Sequence, residues 1–532
     1  MIDKIGAVNS RYNTPDRDNF TQNPNFTGLG DMVIGAVQMC EKYPMLNVTA
    51  LDLSTAIIPR TIIETKESNA HAGFEAFRRE GSGLFVNCLI PSFIVIGVAK
   101  LLQRPLMGSF NKSNLVNTWA NGDSINKIHH FYANAEGSTA QEKVANTFKN
   151  MFNNISGADG SETKDFAEIF KNNKKFNQAV QDLTEAVTSE KFDKKAVKKA
   201  YETLVNETHI SENIKFKNNK GYFTNNFKSL CEDTVKMLRG VVKENITDKD
   251  QLANYFKRAK KLVNWKSIGG LGIIIPLAIS MQPINRWITR KTSGQKGAPI
   301  YKDFGKDNDS KVLTPKEKRE LLVQKFISIG SMVGVAGLSM FMDKPTLKMF
   351  QFKGLFPTMD QARIISTATF ASRMASAEDK NELREATVRD IATFASFYFL
   401  GDYVAKGIAT LFEKYGKNVR LLNILEKPKE GANALQKLWH WAKHTSIKST
   451  DELMSVKDKK LRTICQIGNL VFSLISLGVL IPLYTRMKTN KKHAEELTRN
   501  NAGEHLNSDT KLDNFSKSLL RDKTAFSAFT HS

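Results

Sequence analysis

Asp402 and Lys406 stand four residues apart inside an otherwise apolar stretch, 391–412. On a helix that spacing puts both on one face, and ionisable groups within a membrane segment mark ion or proton pathways by default. The competing reading is a self-neutralised pair turned toward the protein interior, and the charge balance favours it. His440 and His444 have the same spacing in His-Trp-Ala-Lys-His, a geometry that suits zinc. No glutamate follows the first histidine, so the metalloprotease pattern fails. An amphipathic helix at a membrane surface accounts better for Trp439, Trp441 and the neighbouring basic residues. His129 and His130 are adjacent and diverge by about 100° on a helix. Arg79-Glu80 and Arg389-Asp390 precede two apolar runs and read as helix-start charges or as an interhelical ion pair. The chain has no phosphate loop, nucleophile elbow, dinucleotide fingerprint or paired-cysteine clamp. The sequence therefore assigns no catalytic residue, no metal and no cofactor, and the expectation is a non-enzymatic protein.

The elements that would carry these residues are apolar runs. Residues 83–102 hold one charge, Lys100, and residues 267–284, 326–342 and 464–484 hold none. An uncharged run near twenty residues matches the bilayer core, although a large soluble bundle can also bury such a helix. Trp265 and Trp287 bracket the second run, as aromatic residues do at the two membrane interfaces. Gly330 and Gly334 form a GxxxG pair, which lets two helix backbones approach. Pro91, Pro276 and Pro482 fall inside three runs. Each removes a backbone donor. Such breaks are either packing kinks or the discontinuous helices that line transporter sites. The four cysteines form no CxxC pair, and Cys88 and Cys465 lie within apolar runs, so all four are expected to be reduced. The N-terminus has no apolar core of a cleaved signal peptide, and internal segments are expected to direct insertion.

The runs repeat. Gly270-Leu-Gly-Ile-Ile-Ile-Pro-Leu277 recurs as Ser476-Leu-Gly-Val-Leu-Ile-Pro-Leu483, with five of eight positions identical. Residues 79–102 align without gaps on 389–412, pairing Arg79 with Arg389, Glu80 with Asp390 and Gly97 with Gly407. Ser54-Thr-Ala56 recurs as Ser366-Thr-Ala368, and Met32-Val33 resembles Met332-Val333. Matches in the same order in two halves point to a tandem duplication. An even number of crossings per half would give parallel repeats and an odd number inverted ones. Lys and Arg flank both ends of nearly every run, so loop charge does not fix the orientation.

The fold expectation is an all-α, multi-pass helical membrane protein built from a tandem duplication, with a helical soluble insertion in the first half. Its parts are a polar tail at 1–30, a first membrane segment at 31–104, and a basic helical insertion at 105–262. The end of the first half follows at 263–290, then a basic linker at 291–325, the second half at 326–487 and a polar tail at 488–532. Net charge is +23, spread along the chain rather than gathered in one tract. Lys257, Arg258, Lys260 and Lys261 form a juxtamembrane cluster suited to anionic lipid headgroups, or simply a solvated basic face. The expected partners are membrane lipids and an acidic protein. Nucleic acid ranks last, since no dense Arg-rich stripe with interleaved aromatics is present. A secondary transporter or channel formed by the two halves is the alternative reading, and a soluble basic nucleic-acid-binding protein the third.

Overall fold

The computed structural model describes residues 36–37 and 44–491, with breaks at 68–69, 111, 158–164, 212–213, 218–225, 294–313, 342–349, 353–356, 425–427, 482–483, 485–486 and 489–490. Met32, Val33 and Pro482 lie outside the described residues. The fold is nearly all-α, with two short antiparallel β-pairs, β1 (Ile155–Ser156) with β2 (Lys215–Phe216) and β3 (Leu422–Ile424) with β4 (Thr445–Ile447). Four helical stretches are long and apolar enough to cross a membrane: Gly73–Met107, Lys249–Lys291, Pro315–Met340 and Val456–Leu480.

The described residues contain seven antiparallel helical rods. The first joins α1 (Pro44–Asp52) through a π-turn at Leu53–Ile57 to α2 (Ile58–Glu67). The second joins α3 (Ala70–Leu84) through a π-turn at Phe85–Leu89 to α4 (Ile90–Met107). After five helices of the insertion, α5 (Gly122–Ala133), α6 (Ala140–Phe152), α7 (Phe166–Ile169), α8 (Lys174–Thr188) and α9 (Lys194–Thr208), comes α10 (Phe227–Lys243). The third rod is α11 (Lys249–Ser293) and the fourth α12 (Pro315–Phe341). The fifth is α13 (Met359–Ala375), and the sixth joins α14 (Lys380–Ala395) through a π-turn at Ser396–Leu400 to α15 (Gly401–Tyr415). A connection carrying α16 (Ala434–His444) leads to the seventh, α17 (Val456–Ser473), which ends in a π-turn at Leu474–Leu480.

Hydrogen bonds fix the rod directions. On α11, Lys266 meets the insertion while Asn285 meets Ser82 at 2.9 Å and Thr289 meets Glu75. The second rod therefore runs antiparallel to it. Arg60 pairs with Glu80, so the first rod is antiparallel to the second. Lys325 reaches the Ala375 carbonyl at 2.8 Å and Lys380 reaches Glu320 at 2.6 Å, which places the start of α12, the end of α13 and the start of α14 together. Lys457 meets the Lys417 carbonyl at 3.2 Å, so α17 runs back along α15. The insertion and α16 thus lie at one end of the rods, and the end of α11 and the start of α12 at the other.

Two packing regimes coexist. In the insertion the core is apolar and aromatic: Phe148, Phe152, Phe166 and Phe227 are fully buried, with Phe166 and Phe227 centroids 5.1 Å apart. Lysines face out, as in a soluble domain. Its helices start on side-chain caps, Asn121, Thr139, Asp193 and Asn226 among them, which satisfy first-turn N–H groups. The rods do the reverse. Phe93 is 73% exposed, Phe326 69% and Leu338 67%. Meanwhile Asp390, Gln466, Asn469, Ser473 and Ser92 are buried.

Several expected boundaries shift. Helix α11 runs unbroken through 262/263, since its Leu252, Tyr255 and Leu262 complete the insertion core while Leu271, Ile274 and Ala278 pack with Val95 of α4. The stretch expected to be linker is helical from Pro315, so position 326 falls inside α12. The GxxxG pair makes no close approach: a Cβ on Gly330 or Gly334 would meet nothing within 4 Å. Close approaches occur instead at Gly270, where an added Cβ would sit 2.6 Å from the Val95 side chain, and between α15 and α17 at Gly401 and Gly468.

Candidate functional site

The densest chemistry lies where rods one, two, five and six meet. Glu80 on α3 receives Arg60 from α2, and Arg79 Nε approaches at 3.7 Å. Asp390 on α14 receives Arg373 from α13 at 2.9 Å, and Arg389 Nε approaches at 3.2 Å. The arrangement is the same twice over: a carboxylate, the arginine preceding it, and an arginine from the preceding helix. Arg373 joins the two, since its second terminal nitrogen lies 3.3 Å from Glu80. Glu385 adds a contact to Arg389 at 3.8 Å. The Asp390 side chain is 2% exposed and its Oδ2 is a buried oxygen without a hydrogen-bond partner among the described residues. Charges buried this deeply persist only when paired, because each alone costs several kcal/mol to desolvate.

Above this node the interior stays polar. Thr369 donates to Asn87 at 3.0 Å, Ser366 and Tyr398 hydroxyls lie 2.8 Å apart, and Ser372 donates to the Ile279 carbonyl. Each of these side chains faces another rod.

A second buried centre locks the insertion to α11. Lys266 is fully buried; its Nζ donates to the Val116 carbonyl at 3.2 Å and to that of Thr118, and lies 4.0 Å from the Trp119 ring centroid. Asp233 accepts the Trp119 N–H at 3.0 Å. Burial pushes the Asp233 carboxyl up to about 6 against the pull of Lys236, the Trp119 N–H and Lys266.

Of the residues singled out from sequence, Asp402 is exposed on α15. Lys406 lies four residues on, with its Nζ 3.0 Å from the Ala442 carbonyl and 5.0 Å from the Tyr403 centroid. Pro91 is buried at the start of α4, directly after a π-turn in which the Ile90 N–H bonds Phe85. The missing proline donor thus falls where the ladder has already widened. Pro276 sits within α11 on its exposed side. Lys257 and Lys261 are exposed, whereas Arg258 donates to the Leu106 carbonyl at 3.2 Å and the Lys260 stem packs by Gly122. The basic cluster therefore divides into two outward residues and two struts. His440 and His444 stack with centroids 4.4 Å apart, and no group of three or more metal-ligating side chains exists among the described residues.

Arg60, Arg373, Lys266 and Asp233 were not visible as site residues in the sequence. The signal available was the doubled Arg-acid dipeptide; its arginine partners lie 17 to 20 residues upstream, at distances only the helical turns explain. Comparison with known proteins gives no match to a protein family, a curated protein or a solved structure.

Proposed function

We propose that this chain is a multi-pass integral membrane protein whose two three-helix halves enclose a charged interior and hold a basic helical domain on one membrane face. The carrying observation is the reversal of packing within one chain. The rods expose phenylalanine and leucine and bury Arg363, Arg462 and Asp390, while the insertion buries phenylalanine and leucine and turns most of its lysines outward, with Asp233 its one buried acid among the described residues. Water would penalise the first arrangement and lipid the second. The exposed face of α11 adds support. It reads Lys257, Lys261, Trp265, Ile268, Pro276, Ile279, Trp287 and Arg290. The two tryptophans are separated by about 33 Å of helix, close to the ~30 Å of a hydrocarbon core.

Duplication fits the same geometry. Rods one to three pair with rods five to seven, with α12, which carries Met332-Val333, between them; on this pairing the second half would begin at 359, against the 326 expected from sequence. The matching π-turns at 85–89 and 396–400 and the paired Arg60–Glu80 and Arg373–Asp390 contacts support it. Three crossings per half would invert directly joined repeats. The single pass of α12 restores the direction and gives parallel halves.

The test is sidedness in sealed vesicles after carbonate washing. Retention, with Lys198→Cys labelled from one side and a tag within 294–313 from the other, is the expected result. Release by carbonate, or both sites on one side, would overturn the proposal.

Secondary transport is the further reading, favoured by polar side chains facing across the halves at Asn87 and Thr369. Alternating access requires that Asn87→Cys react with a small aqueous thiol reagent from either membrane face in turn. Reaction from neither face leaves a static scaffold.

A further inference from the structure

Helix α16 is an 11-residue helix with no buried residue. Leu435 is 78% exposed, Leu438 58% and Trp439 57%. At 100° per residue these three fall within an arc of about 100°, a continuous apolar face with no partner over it among the described residues. Lys437, His440 and His444 lie on the opposite side. Between the two faces, Trp441 turns inward: its Nε1 donates to Thr410 of α15 at 3.2 Å, and its ring lies 6.2 Å from that of Tyr403. Lys406 ties the backbone down through the Ala442 carbonyl. The two tryptophans, alike in sequence, thus do different work, Trp441 clamping the helix and Trp439 projecting from it. A helix fastened along its side to the end of a rod presents its apolar face one way and its basic face the other. That geometry suits a helix lying flat at a bilayer surface.

We infer that α16 docks into the headgroup–acyl boundary of the bilayer, with Leu435, Leu438 and Trp439 inserted and Lys437 among the phosphates and water. The occupant is lipid rather than a second chain, because the helix sets Leu435, Leu438 and Trp439 on one side and Lys437 on the other, with Lys443 beside the apolar arc, and these lysines match phosphate headgroups. This inference rests on the membrane reading above.

The test uses the full chain in phosphatidylcholine/phosphatidylglycerol nanodiscs with Cys40→Ser. Cys88, Cys231 and Cys465 are buried. Single fluorescent thiol labels at Leu435→Cys, Lys437→Cys and Ile273→Cys are compared with a shallow doxyl lipid, a deep doxyl lipid and aqueous iodide. The expected result is several-fold stronger quenching of 435 by shallow doxyl lipid than by iodide, the reverse at 437, and deep-lipid quenching at 273. Iodide quenching at 435 with lipid quenching at 273 would overturn the docking and leave the membrane reading standing. Protection of 435 from both quenchers would mean a protein covers the face, and would also overturn it. Iodide quenching at 273 would remove the membrane reading itself.

Discussion

Arg373 meets both carboxylates of the charge node. Truncating it leaves Glu80 and Asp390 with one partner fewer in a largely buried site, which ordinarily costs about 3–5 kcal/mol. Arg373→Met is expected to lower the thermal midpoint of the detergent-solubilised protein sharply, and adding Asp390→Asn to recover part of the loss. A midpoint unchanged in the single variant would show that the node carries no stability. Asp233 gives a pH-dependent counterpart. Its carboxyl rises from 3.8 to about 6 in the folded chain, so the folded state holds the proton more tightly. Stability of the insertion then falls as pH climbs from about 4 to 6 and is level above that, by at most about 3 kcal/mol. Asp233→Asn keeps the acceptor for Trp119 and is expected to abolish this fall. Urea midpoints of the full chain at pH 4.5 and 7, read by trapping of buried Cys231 with a pyridyl disulfide, measure it.

At the scale of elements, α4 packs closely against α11. Gly270 allows it, because any side chain there would collide with Val95. Gly270→Leu is expected to destabilise by about 1–3 kcal/mol through overpacking. Gly272, two residues on, has open space around its Cβ direction, and Gly272→Leu is expected to leave stability within error. Thermal midpoints of the two variants, compared side by side, check the assignment of faces; equal losses would refute it. The apolar runs were legible as helices from length alone, and α11, α12 and α17 follow them. Helix α13 was not, since its 17 residues carry Arg363 and Arg373 and a row of Ser and Thr that pack inward. A polar stripe reads as surface in a sequence; here α11, α12 and α14 pack around α13, and its Ser366, Thr369 and Ser372 face other rods.

At the scale of the molecule, rods distant in sequence meet: α11 packs on α13, and the π-turn ending the seventh rod packs on the π-turn of the first rod. A Cβ on Gly478 would lie 3.9 Å from the Thr55 carbonyl. Thr55→Cys with Gly478→Cys is therefore expected to form a disulfide under mild oxidation. Cleavage at a protease site placed within 294–313 would then leave the two fragments joined on a denaturing gel. Fragments that separate without reduction would contradict the closed arrangement.

The sequence by itself determined the helical class, the basic insertion, the spacing of apolar runs and the repeated dipeptides, because composition and periodicity are local properties of the chain. It offered Asp402 and Lys406 as the charges of interest, since only they interrupt an apolar run. The tertiary structure decided which charges converge. Glu80 and Arg373 are 293 residues apart, and no periodicity relates them. Rod direction and the one-residue widening at each π-turn determine which residues of a helix face inward. The same holds for Trp439 and Trp441: adjacent in type and spacing, they part company only because α15 lies against one side of their helix.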